Sequence, residues 1–307
     1  MSSIPQVATA MEHVLTTVAR QAARATGFIQ RQRAFDGAQF VQTLVFGWLH
    51  NPQATTDDLV AMAADLGVTI SAQGLADRFS DAAVACLEQV LQAAIAQVIA
   101  ADPLTIPLLE RFPEVVLHDS TTISLPDALA SWFRGCGGSH GQVAAALKAH
   151  LRLELRTGQV EGPLFQDGRA HDRAVAFRRH PPLGALTLRD LGFFQLDDLA
   201  ADQRDGRHWR SYLKPNTAVF HAGQRLDLAT FLPLQGGGVI DLAVMVGVRQ
   251  RVPCRLLAVP VPEDVAEQRR ERIQKEARDK GTRVRPERLV LCGWTIIITM
   301  LEADQLR

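Results

Sequence analysis

Between Leu147 and Arg156 the sequence alternates without a break: Leu147, Ala149, Leu151, Leu153 and Leu155 take turns with Lys148, His150, Arg152, Glu154 and Arg156. Successive side chains point to opposite faces only in an extended chain, so a period of two predicts a strand here and excludes a helix. Its apolar residues are expected in the core and its charged residues in water. Thr157-Gly158 supplies a turn, and residues 160–165 read as the returning strand of an antiparallel hairpin.

A short strand lies on either side of this hairpin, and each leads into an aspartate. Upstream, residues 114–126 read EVVLHDSTTISLP. Val115, Val116 and Leu117 have the apolar run of a strand buried on both faces, and Asp119 falls where that strand is expected to end. A carboxylate there is held by a rigid element yet faces a cleft, as a metal-dependent site requires; an Asp after a strand equally starts a turn. Downstream, residues 184–189 (GALTLR) read as a strand followed by Asp190, and then by a helix at 196–201. Between them lies a segment rich in Arg and His, in which His171 with Asp172 is either a catalytic pair or the start of a helix.

Residues 1–105 show helical periodicity only, over 7–23, 40–49, 59–66 and 82–100. The pair 56–66 and 71–79, joined at Gly67-Val68-Thr69, has the outline of a helix-turn-helix that touches DNA, or of an αα-hairpin that simply packs. Gln30-Arg31-Gln32-Arg33 is a small basic cluster of the kind that forms a solvated face. From 208 to 262 the pattern is β again, at 217–220, 239–248 and 255–261. A highly charged helix at 265–280 and a final apolar strand at 289–301 follow.

Composition removes some classes. The apolar run at 294–301 is far shorter than the roughly 20 residues a helix needs to cross a bilayer. The first residues lack a basic region followed by an apolar one, so a cytoplasmic protein with no membrane partner is expected. Cys86, Cys136, Cys254 and Cys292 have no C-x-x-C spacing, which indicates neither a zinc site nor a disulfide framework. The formal net charge is zero, a weak guide because it hides patches. Most basic residues are arginines, suited to bidentate phosphate contact, although a GC-rich genome gives the same bias.

A strand ending in Asp, an antiparallel hairpin and a second strand ending in Asp is the element order of the ribonuclease H-like fold, whose first and fourth strands are neighbours. The resemblance goes further. HDSTTISLP (118–126), the strand and turn at 148–158, GRAHD (168–172), RDLGFF (189–194) and GWTIIIT (293–299) together resemble the DDE transposases of bacterial insertion sequences, of the family of insertion sequence four. ATGFIQRQRAFDGAQFVQTLVFGWL (25–49) is similar to that family's N-terminal helical region.

The resemblance implies an α+β chain. It would comprise a helical DNA-binding region (1–105), the first part of a ribonuclease H-like catalytic domain (106–207), a β-rich insertion (208–290) and a final strand (291–307). Asp119 and Asp190 become the catalytic aspartates, holding Mg2+ in a site that takes two ions when complete. The implied partner is double-stranded DNA, both the terminal inverted repeats of the element and its target, with a homodimer in the complete enzyme and a place at the bacterial nucleoid. Arg210, Lys214, Arg269, Arg270, Arg272 and Lys275 are the candidate DNA-binding residues; the helix carrying the last four reads equally as a solvated face balanced by Glu267, Glu271 and Glu276. The family's third carboxylate is a Glu within Tyr-x2-Arg-x3-Glu-x6-Lys, on a helix after the GWTIIIT strand. No such motif precedes Arg307, and Glu302 lacks those companions. The expectation is a chain without its third ligand and catalytically inactive or nearly so by itself, either a truncated transposase or a non-catalytic DNA-binding remnant or inhibitor of the full-length enzyme.

Overall fold

The computed structural model describes residues 4–31, 35–97, 106–136, 145–171, 177 and 179–303. The chain forms two compact units, Met1–Leu104 with Thr157–Val160, and Thr105–Arg156 with Glu161–Arg307.

The first unit is helical. α1 (Ile4–His13) runs through a π-helical turn, Val14–Val18, into α2 (Ala19–Ala25), followed by α3 (Gly37–His50), α4 (Thr56–Asp65), α5 (Ala72–Ala76) and α6 (Asp81–Ala96). Small residues set the α2–α3 crossing: a Cβ on Gly37 would lie 2.3 Å from the Ala23 Cβ and 2.9 Å from the Ala19 carbonyl oxygen, so only glycine permits the approach. Phe40, Val41, Leu44, Leu59, Ala63, Leu75 and Cys86 fill the core. Thr55, Ser71 and Ser80 cap α4, α5 and α6. At α3, Asp36 accepts the Gln39 N–H at 2.9 Å while Gln39 accepts the Asp36 N–H at 2.9 Å, and Arg20 of α2 donates to Asp36 at 2.8 Å.

The second unit is built on one sheet of ten strands, β1 (Val115–Leu125), β2 (Ala145–Glu154), β3 (Val160–Asp167), β4 (Leu186–Arg189), β5 (His208–Tyr212), β6 (Val219–His221), β7 (Gln224–Leu226), β8 (Ile240–Val246), β9 (Val252–Pro260) and β10 (Trp294–Thr299). Their order across the sheet is β3-β2-β1-β4-β5-β10-β9-β8-β6-β7. β1 is antiparallel to β2 and parallel to β4, and β4 is parallel to β5. The first five strands therefore have the ribonuclease H-like arrangement. The helices of this unit are α7 (Leu196–Arg204), α8 (Leu228–Phe231), α9 (Glu263–Asp279) and α10 (Pro286–Leu291). Trp209, Leu199, Leu232, Leu256 and Ile298 lie in the larger core cluster, and Phe112, Val115, Leu186 and Leu301 form a smaller one.

Several local expectations change. β1 extends to Leu125, so Asp119 lies within a strand and not at its end; β2 pairs with every position from Val116 to Leu125, and the Thr residues there are good strand formers. His208–Tyr212, expected in the insertion, is the fifth strand of the central sheet, beside β4. Residues 289–291 belong to a helix started by Pro286 at its first turn, so the last strand begins only at Trp294.

β2 buries Ala149 as expected, but from His150 to Glu154 its polar residues are the more buried ones. His150 is fully buried, Arg152 and Glu154 are buried too, and Leu151 is 40% exposed. The polar face is covered because its groups are paired. Arg152 donates to Glu161 and to the Arg179 carbonyl, and its guanidinium lies 4.9 Å from the Phe177 ring centroid. Glu154 accepts the N–H groups of Val115 at 3.1 Å and Arg156 at 3.2 Å. Buried charge is tolerated only with such partners.

Two predictions follow from these contacts. Asp36→Ala removes a helix cap and an inter-helix ion pair, and is expected to lower stability by about 1 kcal/mol in urea unfolding; an unchanged midpoint would contradict the capping role. Burial raises the Asp36 pKa, but the Arg20 and Gln39 hydrogen bonds outweigh it and hold the carboxyl below its usual range, so this contribution fades as pH falls through the folded value. His208 lies 5.7 Å from Phe112 in an edge contact, and burial lowers its pKa. The unfolded chain then binds a proton that the folded chain refuses, so stability should drop as pH falls below about 6.5. His208→Gln should flatten that part of the profile; an unaltered slope would contradict it.

Candidate active site

Register brings the two sequence-predicted aspartates together. Val115, Val116 and Leu117 of β1 pair in parallel with Leu186, Thr187 and Leu188 of β4. The ladder stops there; Asp119 is two residues further along β1, and Asp190 follows the last residue of β4. On the other side, Leu186 to Arg189 pair with His208 to Ser211, and Tyr212 is the next and last residue of β5. Asp119 within β1, Asp190 directly after β4 and Tyr212 at the end of β5 thus mark one row at the same end of three adjacent strands, which stand about 4.8 Å apart.

Both aspartates are exposed, and each is steadied through one oxygen. Asp119 Oδ1 accepts the Ser120 N–H at 2.8 Å. Asp190 Oδ1 accepts the N–H groups of Gly192 at 2.9 Å and Phe193 at 3.2 Å, closing the turn that follows β4. Neither Oδ2 has a hydrogen-bond or ion-pair partner among the described residues. On the opposite face, Arg189 donates to Asp202 of α7, and Asp202 also accepts from Arg207 at 3.1 Å, which ties the end of β4 to the helix. Phe193 is buried with its ring 4.1 Å from that of His118.

A third carboxylate does not join the row among the described residues. Among the described residues no group of three or more His, Cys, Asp or Glu side chains is placed to hold a metal. β10 is antiparallel to β5, with Ile297 opposite Tyr212 and Thr299 opposite Arg210, so it runs away from the row. Leu301 is buried with Val115 and Leu186, four strand positions, or about 13 Å, below the aspartates. Glu302 therefore lies at the far end of the sheet.

The six candidate DNA-binding residues divide into three groups. Arg210 shares the face of the row, its guanidinium 4.6 Å from the Tyr212 ring centroid, and Lys214 is exposed two residues beyond β5 at the same end of the sheet. Arg269 and Arg270 are occupied in holding α9 down. Arg269 donates to the Trp294 carbonyl at 3.1 Å and to Thr295 at 3.3 Å, and Arg270 to the Leu289 carbonyl at 3.4 Å and to Glu263 at 2.6 Å. Arg272, 3.8 Å from Glu276, and Lys275 are exposed on α9.

Of the other sequence candidates, Asp172 of the His171–Asp172 pair, Gln32 and Arg33 of the basic cluster, and residues 98–100 of the last predicted helix lie outside the described residues. In the helix-turn-helix outline, α5 is only five residues long and carries no basic side chain. Residues 1–104 hold nine acidic and five basic side chains, a formal charge of −4, which repels phosphate on average. Tyr212, the only tyrosine of the chain, was not among the sequence candidates. Its signal is the alternation of His208, Arg210 and Tyr212 with the buried Trp209 and Ser211.

The hydrogen bonding separates the two aspartates experimentally. Asp190→Ala leaves two turn N–H groups without their acceptor and is expected to cost about 1 kcal/mol. Asp119→Ala, whose carboxylate has no partner among the described residues beyond the Ser120 N–H, should stay within about 0.5 kcal/mol of the parent. Equal losses in urea unfolding would contradict this division.

Comparison with known proteins agrees with the geometry. The transposase DDE domain profile matches residues 110–281. The chain is similar to the transposase for insertion sequence element IS231B of Bacillus thuringiensis subsp. berliner, 27% identical over 215 residues that cover 68% of this chain and 44% of the relative. The transposase for IS231F of Bacillus thuringiensis subsp. israelensis is 27% identical over 223 residues, covering 70% and 46%. That for IS1151 of Clostridium perfringens is 23% identical over 272 residues, covering 79% and 56%. The chain spans about half the length of the curated relatives it matches. With the profile matched over more than half of its residues, the chain belongs to the DDE transposases of bacterial insertion sequences.

Proposed function

We propose that this polypeptide serves transposition of an insertion sequence by acting on double-stranded DNA at the ends of the element, with Asp119 and Asp190 as two of its metal-binding carboxylates. The observation that supports this most is the shared row: two acids 71 positions apart in the sequence lie at the same end of neighbouring parallel strands, each restrained through one oxygen. The second oxygen of each has no protein partner among the described residues.

The donor set fits a hard divalent cation such as Mg2+, which takes carboxylate oxygens and keeps several waters. Two carboxylates make a partial set, and the remaining protein ligand would come from outside the described residues. Bound Mg2+ supplies charge neutralisation at a phosphodiester and a more acidic water. The chain's own residues hold and orient. The Ser120 N–H and the turn N–H groups of Gly192 and Phe193 fix the carboxylates, while Arg210, steadied by the Tyr212 ring, and Lys214 face the DNA backbone beside them. Two element ends require two such sites, so a homodimer is the assembly proposed for the complete enzyme. Its place of action is the bacterial cytoplasm, at the nucleoid. Among the described residues no helix is long and apolar enough to cross a membrane.

A second reading, DNA binding without catalysis, is favoured by the absence of a third carboxylate from the row among the described residues. Loss of one member of a ligand shell costs orders of magnitude in rate. The test uses the 307-residue chain with duplexes carrying the element's ends. Binding should weaken steeply with rising salt as counterions are released, and Mg2+-dependent strand cleavage should be absent or close to it. Salt-insensitive binding would contradict the DNA assignment. Cleavage abolished by Asp119→Ala would show that the chain completes its own site.

A further inference from the structure

The connections of α9 and α10 leave the sheet at one end. Trp294 pairs with Pro260 and Ile297 with Leu257, while Ile297 stands in the aspartate row through Tyr212. Pro260 and Trp294 are therefore three strand positions, about 10 Å, beyond the row, on the side toward which β1 continues. α9 begins at Glu263 and α10 ends at Leu291, so both helices and the turn between them are attached at the end of the sheet that carries Asp119 and Asp190. Laterally, β9 is three strands from β4, or about 14 Å, less than half of a duplex turn of about 34–36 Å.

Charge is sorted along this appendage. α9 opens with Glu263, Asp264 and Glu267; from residue 275 to 288 there are six basic side chains against Glu276, Asp279 and Glu287. Ala266 and Ile273 are buried, and Arg269 and Arg270 fix the same helix to β10 and α10, so docking uses none of the six. All six are exposed, and their side chains form no ion pair or hydrogen bond among the described residues. Attraction to the negative end of a helix accounts for Lys275 and Arg278 within the last turns of α9. It does not account for Arg283, Arg285 and Arg288, which follow the helix.

We propose that Lys275, Arg278, Lys280, Arg283, Arg285 and Arg288 form a strip that binds the phosphate backbone of duplex DNA flanking the bond held at Asp119 and Asp190. The proposal rests on the DNA reading above and assigns the contact surface within it. Long, exposed cationic side chains at irregular spacing neutralise phosphates and do not read bases.

The experiment measures duplex affinity by fluorescence anisotropy across salt concentration, for an element-end duplex and a random one. The variants are Arg278→Gln/Lys280→Gln/Arg283→Gln/Arg285→Gln, the smaller Arg283→Gln/Arg285→Gln, and an Asp264→Asn/Glu267→Gln control. Each lost phosphate contact lowers the slope of log K against log salt by about 0.9. The fourfold variant should lose about 3 to 4 in slope and at least about tenfold in affinity on both duplexes, and the twofold variant about half of that slope change. The control should bind at least as well as the parent, and melting should be unchanged. If the fourfold variant is unstable, the twofold variant decides, since both its residues lie beyond the helix. Parental slope and affinity in a folded variant would overturn the strip and leave the DNA reading intact. Loss on one duplex alone would overturn the phosphate assignment, and failure of the parent chain to bind DNA would overturn both.

Discussion

The site depends on the parallel ladder between β1 and β4. Hydrogen bonds fix which residues of two strands stand level, and a slip of one position would turn Asp119 and Asp190 to opposite faces. The ladder is short, Val115 to Leu117 against Leu186 to Leu188, but it is held from both sides. β2 pairs with ten consecutive residues of β1, and β5 pairs in parallel with all of β4. The apolar contacts of Val115 and Leu186 with Phe112 and Leu301 anchor the lower end of the same two strands. A carboxylate pair placed by a sheet centre needs no large pocket, and an open face suits a rod-shaped substrate.

Charge inside the β unit is used to hold segments of the chain to the sheet. Arg152 binds Glu161 and the Arg179 backbone, Arg179 in turn binds Glu114, and Arg189 with Arg207 grips Asp202 on the other face. Such pairs are weak contributors to net stability, yet removing one partner leaves a buried charge uncompensated and costs several kcal/mol. They therefore act as registers for the segments on either side of β4. Arg269 and Arg270 do the same for α9. The cations left over after these duties are concentrated at the end of α9 and in the turn that follows it.

The sequence was informative where a period or an order could be read. Helices in residues 1–97, the β2–β3 hairpin and the strands that precede or carry Asp119 and Asp190 all have signatures in pattern or resemblance. Hydropathy failed in the second half of β2, where the alternation is present but His150, Arg152 and Glu154 are buried, because the partners of Arg152 lie 9 and 27 residues away. β5 escaped notice because His208–Tyr212 is short and largely polar, and its strand character comes from pairing with β4. Tyr212 was hidden with it. On α9, counting cations could not separate Arg269 and Arg270, engaged with backbone carbonyls, from Arg272 and Lys275; only the helix's packing could do so.

The most direct measurement asks whether residues 119 and 190 are neighbours able to share one metal ion. Thiolates bind Cd2+ as soft ligands, so the chain would be made with Asp119→Cys and Asp190→Cys, singly and together, in a Cys136→Ser background that removes the exposed native thiol. Cd2+ titration followed by thiolate charge-transfer absorption should show one ion per double variant, bound at least about tenfold more tightly than by either single variant, as two ligands on one ion require. Affinity in the double variant no greater than in the singles would mean that the two positions do not face a common ion, and the active-site assignment would fall with it.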